Sequence, residues 1–209
     1  MSVIKDAIGD NKKFLLLSLT LMIVVVMVFV VISLGIYNPS TGEIDTGSTS
    51  YNEPKDVLLD DVNYKIFLST IYGDIKIDLY EDKASENVNS LVFLIGERYY
   101  EGLTFHKVVK NFVVQAGDTN GDGEGNPGYT VEEENMVAFS EYQVGMANAS
   151  QFFVVLPGAD MNKINGKYPV VGEVTDGFAV LESMQKVQVD ENYKPINDVL
   201  INSIQIHEG

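Results

Sequence analysis

The sequence predicts a β-rich domain, a barrel or sandwich covered by helices, held to a membrane by a single preceding helix. Three patterns carry that prediction. Residues 14–36 form one uncharged apolar run, short apolar stretches recur between glycine-rich turns, and two segments repeat their apolar residues at helical spacing.

The apolar run reads FLLLSLTLMIVVVMVFVVISLGI. As a helix it would be about 34 Å long, enough to cross a hydrocarbon core of about 30 Å. A secretory signal peptide has a shorter apolar region of about 7–15 residues. Ser33 and Gly35 do resemble a cleavage site, but the length favours an uncleaved anchor. Lys5, Lys12 and Lys13 precede the run, and the first basic residue after it is Lys55. The positive-inside rule then places residues 1–13 in the cytoplasm and the remainder outside, as a single-pass membrane protein in contact with the lipid bilayer through 14–36. Residues 37–61 are rich in Ser, Thr, Gly, Asn and Pro without apolar periodicity and read as a flexible linker. The folded domain is assigned to 62–209.

Within the domain, residues 71–80 (IYGDIKIDLY) alternate apolar and polar side chains, the mark of a half-buried strand, and 63–70 form its partner. Residues 84–98 place Val88, Leu91, Val92 and Ile95 on one helical stripe. A second helix carries Val180, Leu181, Met184 and Val187, with Asp176 as its candidate cap. Between them lie the apolar runs VVKNFVVQ, VAFS, QFFVVL and PVVGEV, and a last strand is expected over 199–206.

Composition excludes several functions. The chain has 209 residues with 30 acids against 14 bases, a formal charge of −16. Binding to nucleic acid requires Lys and Arg to displace phosphate counterions, so no nucleic-acid partner is expected. There is no cysteine, which removes disulfides, thiolate metal sites and cysteine catalysis.

Periodicity alone gives no activity. The segment 105–118, FHKVVKNFVVQAGD, is more specific. It resembles the signature of the cyclophilin-type peptidyl-prolyl cis-trans isomerases, where a Phe-His-Arg start leads to Asn-Phe and then Gln-Gly-Gly-Asp. Four further blocks match in the same order: YGDIKIDLYEDKASENVNSLVFL, GNPGYTVEEE, GMANASQFF and INGKYPVVGEVTDGFAVLE. The resemblance implies an eight-stranded antiparallel barrel capped by two helices, with no metal or organic cofactor. It also implies a folding helper that acts on proline-containing peptides or unfolded exported proteins.

Carried over position by position, the resemblance gives Lys107, Phe112 and Gln115 catalytic places. Lys107 stands where the family has Arg, and Gln115 would hold the carbonyl next to the reacting bond. Phe112, Val113, Phe153 and Ile164 would form the proline pocket. Ala147, Asn148 and Gln151 would line the groove, and Tyr168 takes the place of a pocket His. Lys163 falls where some members have Trp, and about six residues of a loop are missing between Ala149 and Ser150. Because Lys is a point charge on a flexible stem and Arg a planar fork, the exchange at 107 is not conservative. Two functions are therefore carried forward: an isomerase of Xaa-Pro bonds in exported or membrane proteins, and a weak or inactive module that binds proline-containing segments of a partner.

Three smaller patterns remain. Residues 118–125 (DTNGDGEG) copy the first half of an EF-hand loop, but Tyr129 stands where the loop needs Glu. Asn148-Ala149-Ser150 fits a glycosylation acceptor within the presumed groove. His106 has no Ser or Asp constellation around it, and the resemblance implies that it is structural.

Overall fold

The computed structural model describes residues 50–209 together with the backbone of two short strands, β1 (Tyr37–Asn38) and β2 (Glu43–Ile44), which pair antiparallel. The predicted N-terminal segment 1–13 and anchor 14–36 lie outside the described residues. Among the described residues no helix is long and apolar enough to cross a membrane.

Residues 50–209 build one eight-stranded antiparallel sheet and two helices. The strands are β3 (Tyr64–Thr70), β4 (Gly73–Leu79), β5 (Lys107–Val109), β6 (Val113–Ala116), β7 (Gln143–Met146), β8 (Phe152–Val155), β9 (Val170–Asp176) and β10 (Ile201–Glu208). Their order across the sheet is β10-β3-β4-β9-β7-β8-β6-β5. The sheet curls, and its outer strands approach at one corner. There Phe105 N–H donates to Val199 O at 2.9 Å and Ile201 N–H donates to Leu103 O at 2.9 Å. The eight strands of the predicted barrel are thus present in a curled sheet joined at that corner.

The alternation read over 71–80 holds in β4, and its partner β3 alternates too. Tyr64, Ile66 and Leu68 on β3 and Ile75, Ile77 and Leu79 on β4 are buried, because successive side chains on a strand point to opposite faces. Ile71 departs from its predicted face: it lies in the β3–β4 turn and is half exposed. Helix α1 (Ser85–Gly96) covers the core with the predicted stripe of Val88, Leu91, Val92 and Ile95. Its N-terminal amides have no local cap. Instead Glu134 reaches across from 48 residues away: its Oε2 accepts from Glu86 N–H at 2.7 Å and Asn87 N–H at 3.2 Å. This satisfies donors that a helix start leaves without intrahelical partners.

Helix α2 (Phe178–Met184) buries Leu181 and Met184, but Asp176 is not its cap. The capping position is Gly177 at φ 95°, and the Asp176 carboxylate binds Lys76 Nζ at 2.9 Å and Gly177 N–H at 2.9 Å from the end of β9. A second correction concerns VAFS: residues 137–140 form no strand. Phe139 N–H is held by Asn165 Oδ1 at 2.8 Å, and the strand begins at Gln143 instead. Apolar content without alternation does not separate a strand from an irregular segment that contributes one buried ring.

The last part of the stretch read as a flexible linker, 37–61, is docked. Asn89 on α1 grips it in both directions, donating from Nδ2 to Lys55 O at 2.9 Å and accepting at Oδ1 from Val57 N–H at 2.8 Å. Tyr51 N–H bonds Pro127 O at 2.8 Å, and the Tyr51 ring meets Phe93 edge-on at 5.3 Å. Val57 and Leu58 pack against the core. A composition suited to a linker did not reveal these few anchoring contacts.

Candidate functional site

Directly opposed residues on neighbouring antiparallel strands share a face, so the register sorts the side chains of β5, β6, β8 and β7 into rows. One row is Val108, Val114, Val154 and Val144, and another is Ala116, Phe152 and Met146. Both belong to the main core beneath the sheet. The alternating rows face the other way. They are Lys107, Gln115, Phe153 and Gly145, and beside it Val109, Val113 and Val155.

These outer rows carry a second apolar cluster separate from the main core. Val113, Phe139, Phe153, Val155, Ile164 and Val170 are its buried members, and Phe112, Ala147 and Tyr168 are half-buried against it. Phe153 is central. Its ring lies 5.4 Å from Phe139 at 37° and 5.4 Å from Tyr168 at 78°. Gly145 makes room for this: a Cβ there would come 2.5 Å from Phe153 Cζ and 2.6 Å from Phe139 Cζ. A short 3-10 helix, Met161–Lys163, brings Ile164 in from the side. Its start is fixed by Asp160 Oδ1, which accepts from Asn162 N–H at 3.3 Å. Lys163 Nζ then stands 5.7 Å from the Phe112 ring centroid.

The polar end of this face is a connected network. Gln151 is 1% exposed, yet every polar atom of its side chain is used. Its Oε1 accepts from Gln115 Nε2 at 2.7 Å, and its Nε2 donates to Gly125 O at 2.7 Å and Gly123 O at 3.0 Å. Asn148 joins the same loop, donating from Nδ2 to Gly125 O at 3.1 Å, while its Oδ1 accepts from Gln151 N–H at 2.8 Å and Ser150 N–H at 2.9 Å. Ala147 N–H donates to Gln151 O at 2.7 Å. The Asn148-Ala149-Ser150 acceptor pattern is therefore not presented for modification: Asn148 is engaged and Ser150 is fully buried.

The loop 118–125 is held from within. Asp118 is buried, and its carboxylate accepts from Asn120 N–H at 2.9 Å and from Gly123 N–H. Burial acts to raise its pKa, but these backbone bonds outweigh it and bring the carboxyl below its ordinary value. Gly125 packs so closely on Asp118 that a Cβ would collide with Oδ1. The EF-hand likeness is explained by loop closure, and among the described residues no group of three or more His, Cys, Asp or Glu is placed to hold a metal. Gly117, the remaining glycine of the altered Gln-Ala-Gly-Asp run, has φ 92° and no space for a Cβ against Ser150 O. Ala116 sits in an inner row, where a methyl group fills core space.

The structure thus gathers all ten predicted positions on the outer face or its polar rim. Lys107 is exposed on edge strand β5, in one row with Gln115 and Phe153. His106 points the other way, buried, with neither ring nitrogen hydrogen-bonded. Burial pushes its pKa down, and the charge of Asp118 opposes this only partly. Sequence reasoning missed Phe139, Val155 and Val170 as part of the cluster, while Lys163 lies at the pocket position that the resemblance gave it. The period-two relation to Val113 and Phe153 could have found Val155; nothing local marked Phe139.

Comparison with known proteins agrees with this geometry. Residues 65–206 match the family described as cyclophilin type peptidyl-prolyl cis-trans isomerase/CLD. The chain is 38% identical over 162 residues to peptidyl-prolyl cis-trans isomerase-like 3 of Gallus gallus, covering 68% of this chain and 95% of that protein. It is 36% identical over 154 residues to peptidyl-prolyl cis-trans isomerase 10 of Caenorhabditis elegans, covering 68% and 94%. A crystal structure of a Cryptosporidium parvum cyclophilin type peptidyl-prolyl cis-trans isomerase in the presence of the dipeptide Ala-Pro superposes with a TM-score of 0.64 at 28% identity, covering 69% of this chain and 99% of that one.

Proposed function

This chain belongs to the cyclophilin-type peptidyl-prolyl cis-trans isomerase family, and from that premise we propose that its outer-face groove isomerises Xaa-Pro bonds of exported or membrane proteins. The observation that carries the reading is the row Lys107, Gln115 and Phe153, in which a cation, an amide and the base of an apolar pocket share one face.

The chemistry asks little of the protein beyond that arrangement. Rotation about the peptide bond is opposed by amide resonance, a barrier of about 18–20 kcal/mol, and no bond need be broken. The proline ring would sit on Phe153 with Phe112, Val113 and Ile164 around it. Gln115, held by Gln151, would fix the neighbouring carbonyl. In the twisted transition state the amide loses conjugation and the lone pair of its nitrogen becomes localised. The Lys107 ammonium would be the donor that stabilises that nitrogen, and stabilisation confined to the twisted state accelerates the reaction. Ala147 and Asn148 would line the path of the peptide backbone, Gln151 would act through Gln115, and Tyr168 would close the pocket edge-on to Phe153.

The test is a protease-coupled assay on a Xaa-Pro peptide with the full chain in nonionic detergent. Lys107→Ala is expected to lower kcat/KM by about 10-fold or more, and Lys107→Arg to raise it, since the fork can reach carbonyl and nitrogen together. Turnover at the uncatalysed rate in a folded chain would favour the binding-module reading, which the Lys at 107 motivates. A rate untouched by both substitutions would remove Lys107 from the mechanism.

The cellular setting belongs to the same proposal. The uncharged run at 14–36 and the lysines before it support a single-pass anchor with residues 50–209 on the outer side of the membrane. External protease on intact cells lacking an outer barrier should digest the domain, and protection of the domain would reverse the orientation.

A further inference from the structure

The groove is bounded at one end by Gln115, Gln151 and Asn148. At the other end, past Val113 along β6, lie Phe112 and the ammonium of Lys163, 5.7 Å from that ring. Lys163 differs from four other cations of the domain. Lys65, Lys76 and Arg98 are engaged in ion pairs with Asp78, Asp176 and Glu101. Lys194 donates to Gly121 O at 3.0 Å. Among the described residues Lys163 takes part in no ion pair, and neither do Lys55, Lys83, Lys107, Lys110, Lys167 and Lys186; of these, Lys163 is the one that stands over the Phe112 ring. The carboxylate next along the chain, Asp160, is turned to its own turn: its Oδ1 accepts from Asn162 N–H at 3.3 Å and Asn162 Nδ2 at 3.2 Å. Lys163 is exposed, so its charge is free to meet a ligand. All this occurs in a chain of formal charge −16, whose net field repels anions.

We propose that Lys163 makes the groove selective for Xaa-Pro peptides bearing a carboxylate side chain beside the proline. The proposal rests on the isomerase reading and adds to it the chemical class of substrate. The Phe112 ring holds the ammonium at the pocket rim through its negative face, while leaving the outer side of the cation open. A peptide whose proline fills the Phe153 pocket runs past this rim. A Glu or Asp at the residue that passes it meets Lys163, and a Lys there meets a like charge.

The experiment compares blocked peptides that differ only at the residue before or after the proline, carrying Glu, Gln or Lys. The full chain in nonionic detergent is used, with rates read by NMR exchange and affinities by chemical-shift titration. At one of the two positions Glu should exceed Gln by about 3-fold, with Lys the poorest, the range expected of an exposed ion pair. Salt near 0.5 M should compress the difference below about 2-fold. Lys163→Gln should abolish the preference, Lys163→Glu should invert it, and Lys163→Arg should retain it. Equal values for Glu and Gln at both positions, or a preference that persists in Lys163→Gln, would overturn the proposal. If no peptide is turned over, the isomerase reading falls by itself, and the affinities still decide the charge preference.

Discussion

Replacing Gln151 by Leu removes one side chain that ties three segments together. The wild-type amide makes three hydrogen bonds, to Gln115 Nε2, Gly123 O and Gly125 O, at 2.7, 3.0 and 2.7 Å. A buried bond contributes about 0.5–1.5 kcal/mol net, and a carbonyl left unsatisfied costs about 1–3 kcal/mol. Here the loss is moderated at both ends. Gly125 O keeps Asn148 Nδ2 as a donor, and Gly123 is exposed enough to recruit water. Gln115 is half-buried and can likewise turn to solvent. The expected cost is therefore about 2–3 kcal/mol. For a domain of this size that is about 5–10 °C in Tm. The kinetic effect should be larger in proportion. With Gln151 gone, Gln115 is no longer aimed, and a misplacement of about an ångström in a positioning group costs up to about 100-fold. A drop in kcat/KM of about 10-fold is expected. Urea denaturation and the isomerase assay on the full chain in nonionic detergent measure the two effects. A variant within 0.5 kcal/mol of wild type with unchanged kcat/KM would show that the network neither supports the loop nor orients Gln115, and the reasoning would fail.

Other perturbations probe separate features. Gly145→Ala forces Phe139 and Phe153 apart by inserting a methyl where both rings already stand, so proline-peptide affinity should fall about 10-fold by titration, with a stability loss of about 1–3 kcal/mol typical of overpacking. Glu134→Ala leaves the first amides of α1 without a cap and should lower stability by about 1–2 kcal/mol in urea denaturation while isomerase activity in the folded state persists. His106 makes stability depend on pH: its folded pKa lies below the ordinary value of about 6.5, so between the two the unfolded chain binds more protons. Stability from this source is present above pH ~6.5 and is lost as pH falls through the folded pKa. The fall in urea midpoint from pH 7.5 to 5 should shrink in His106→Phe, and an identical fall in both proteins would exclude His106 as the cause.

The sequence was most informative where chemistry repeats at short range. Alternation in 71–80 identified β4, and the stripe through Val88 and Ile95 identified α1, because burial of one face imposes a period on the chain itself. The segment 105–118 marked Lys107, Phe112, Val113 and Gln115 through resemblance, and register explains why they converge. Long-range partners were not legible. Glu134 caps a helix 48 residues away, and Asn89 holds Lys55 and Val57 from 34 and 32 residues away. Neither leaves a local pattern. Asp176 was misread for a related reason: a cap and a strand-end ion pair look alike until the partner, Lys76, is known.

The division of β6 and its neighbours into inner and outer rows separates two kinds of heritable change. Even-numbered positions 108, 114, 116, 144, 146, 152 and 154 answer to packing, and their substitution will be read as lost protein. If the proposed function holds, odd-numbered positions 107, 109, 113, 115, 145, 153 and 155 answer to the ligand, and their substitution will be read as altered chemistry beyond any loss of stability. Residue parity along these four strands is thus a ready key for variant data. It also bounds how the activity could have diverged: the groove can be rebuilt one outer residue at a time, whereas a single inserted residue in β6 would exchange its two faces and abolish fold and function together.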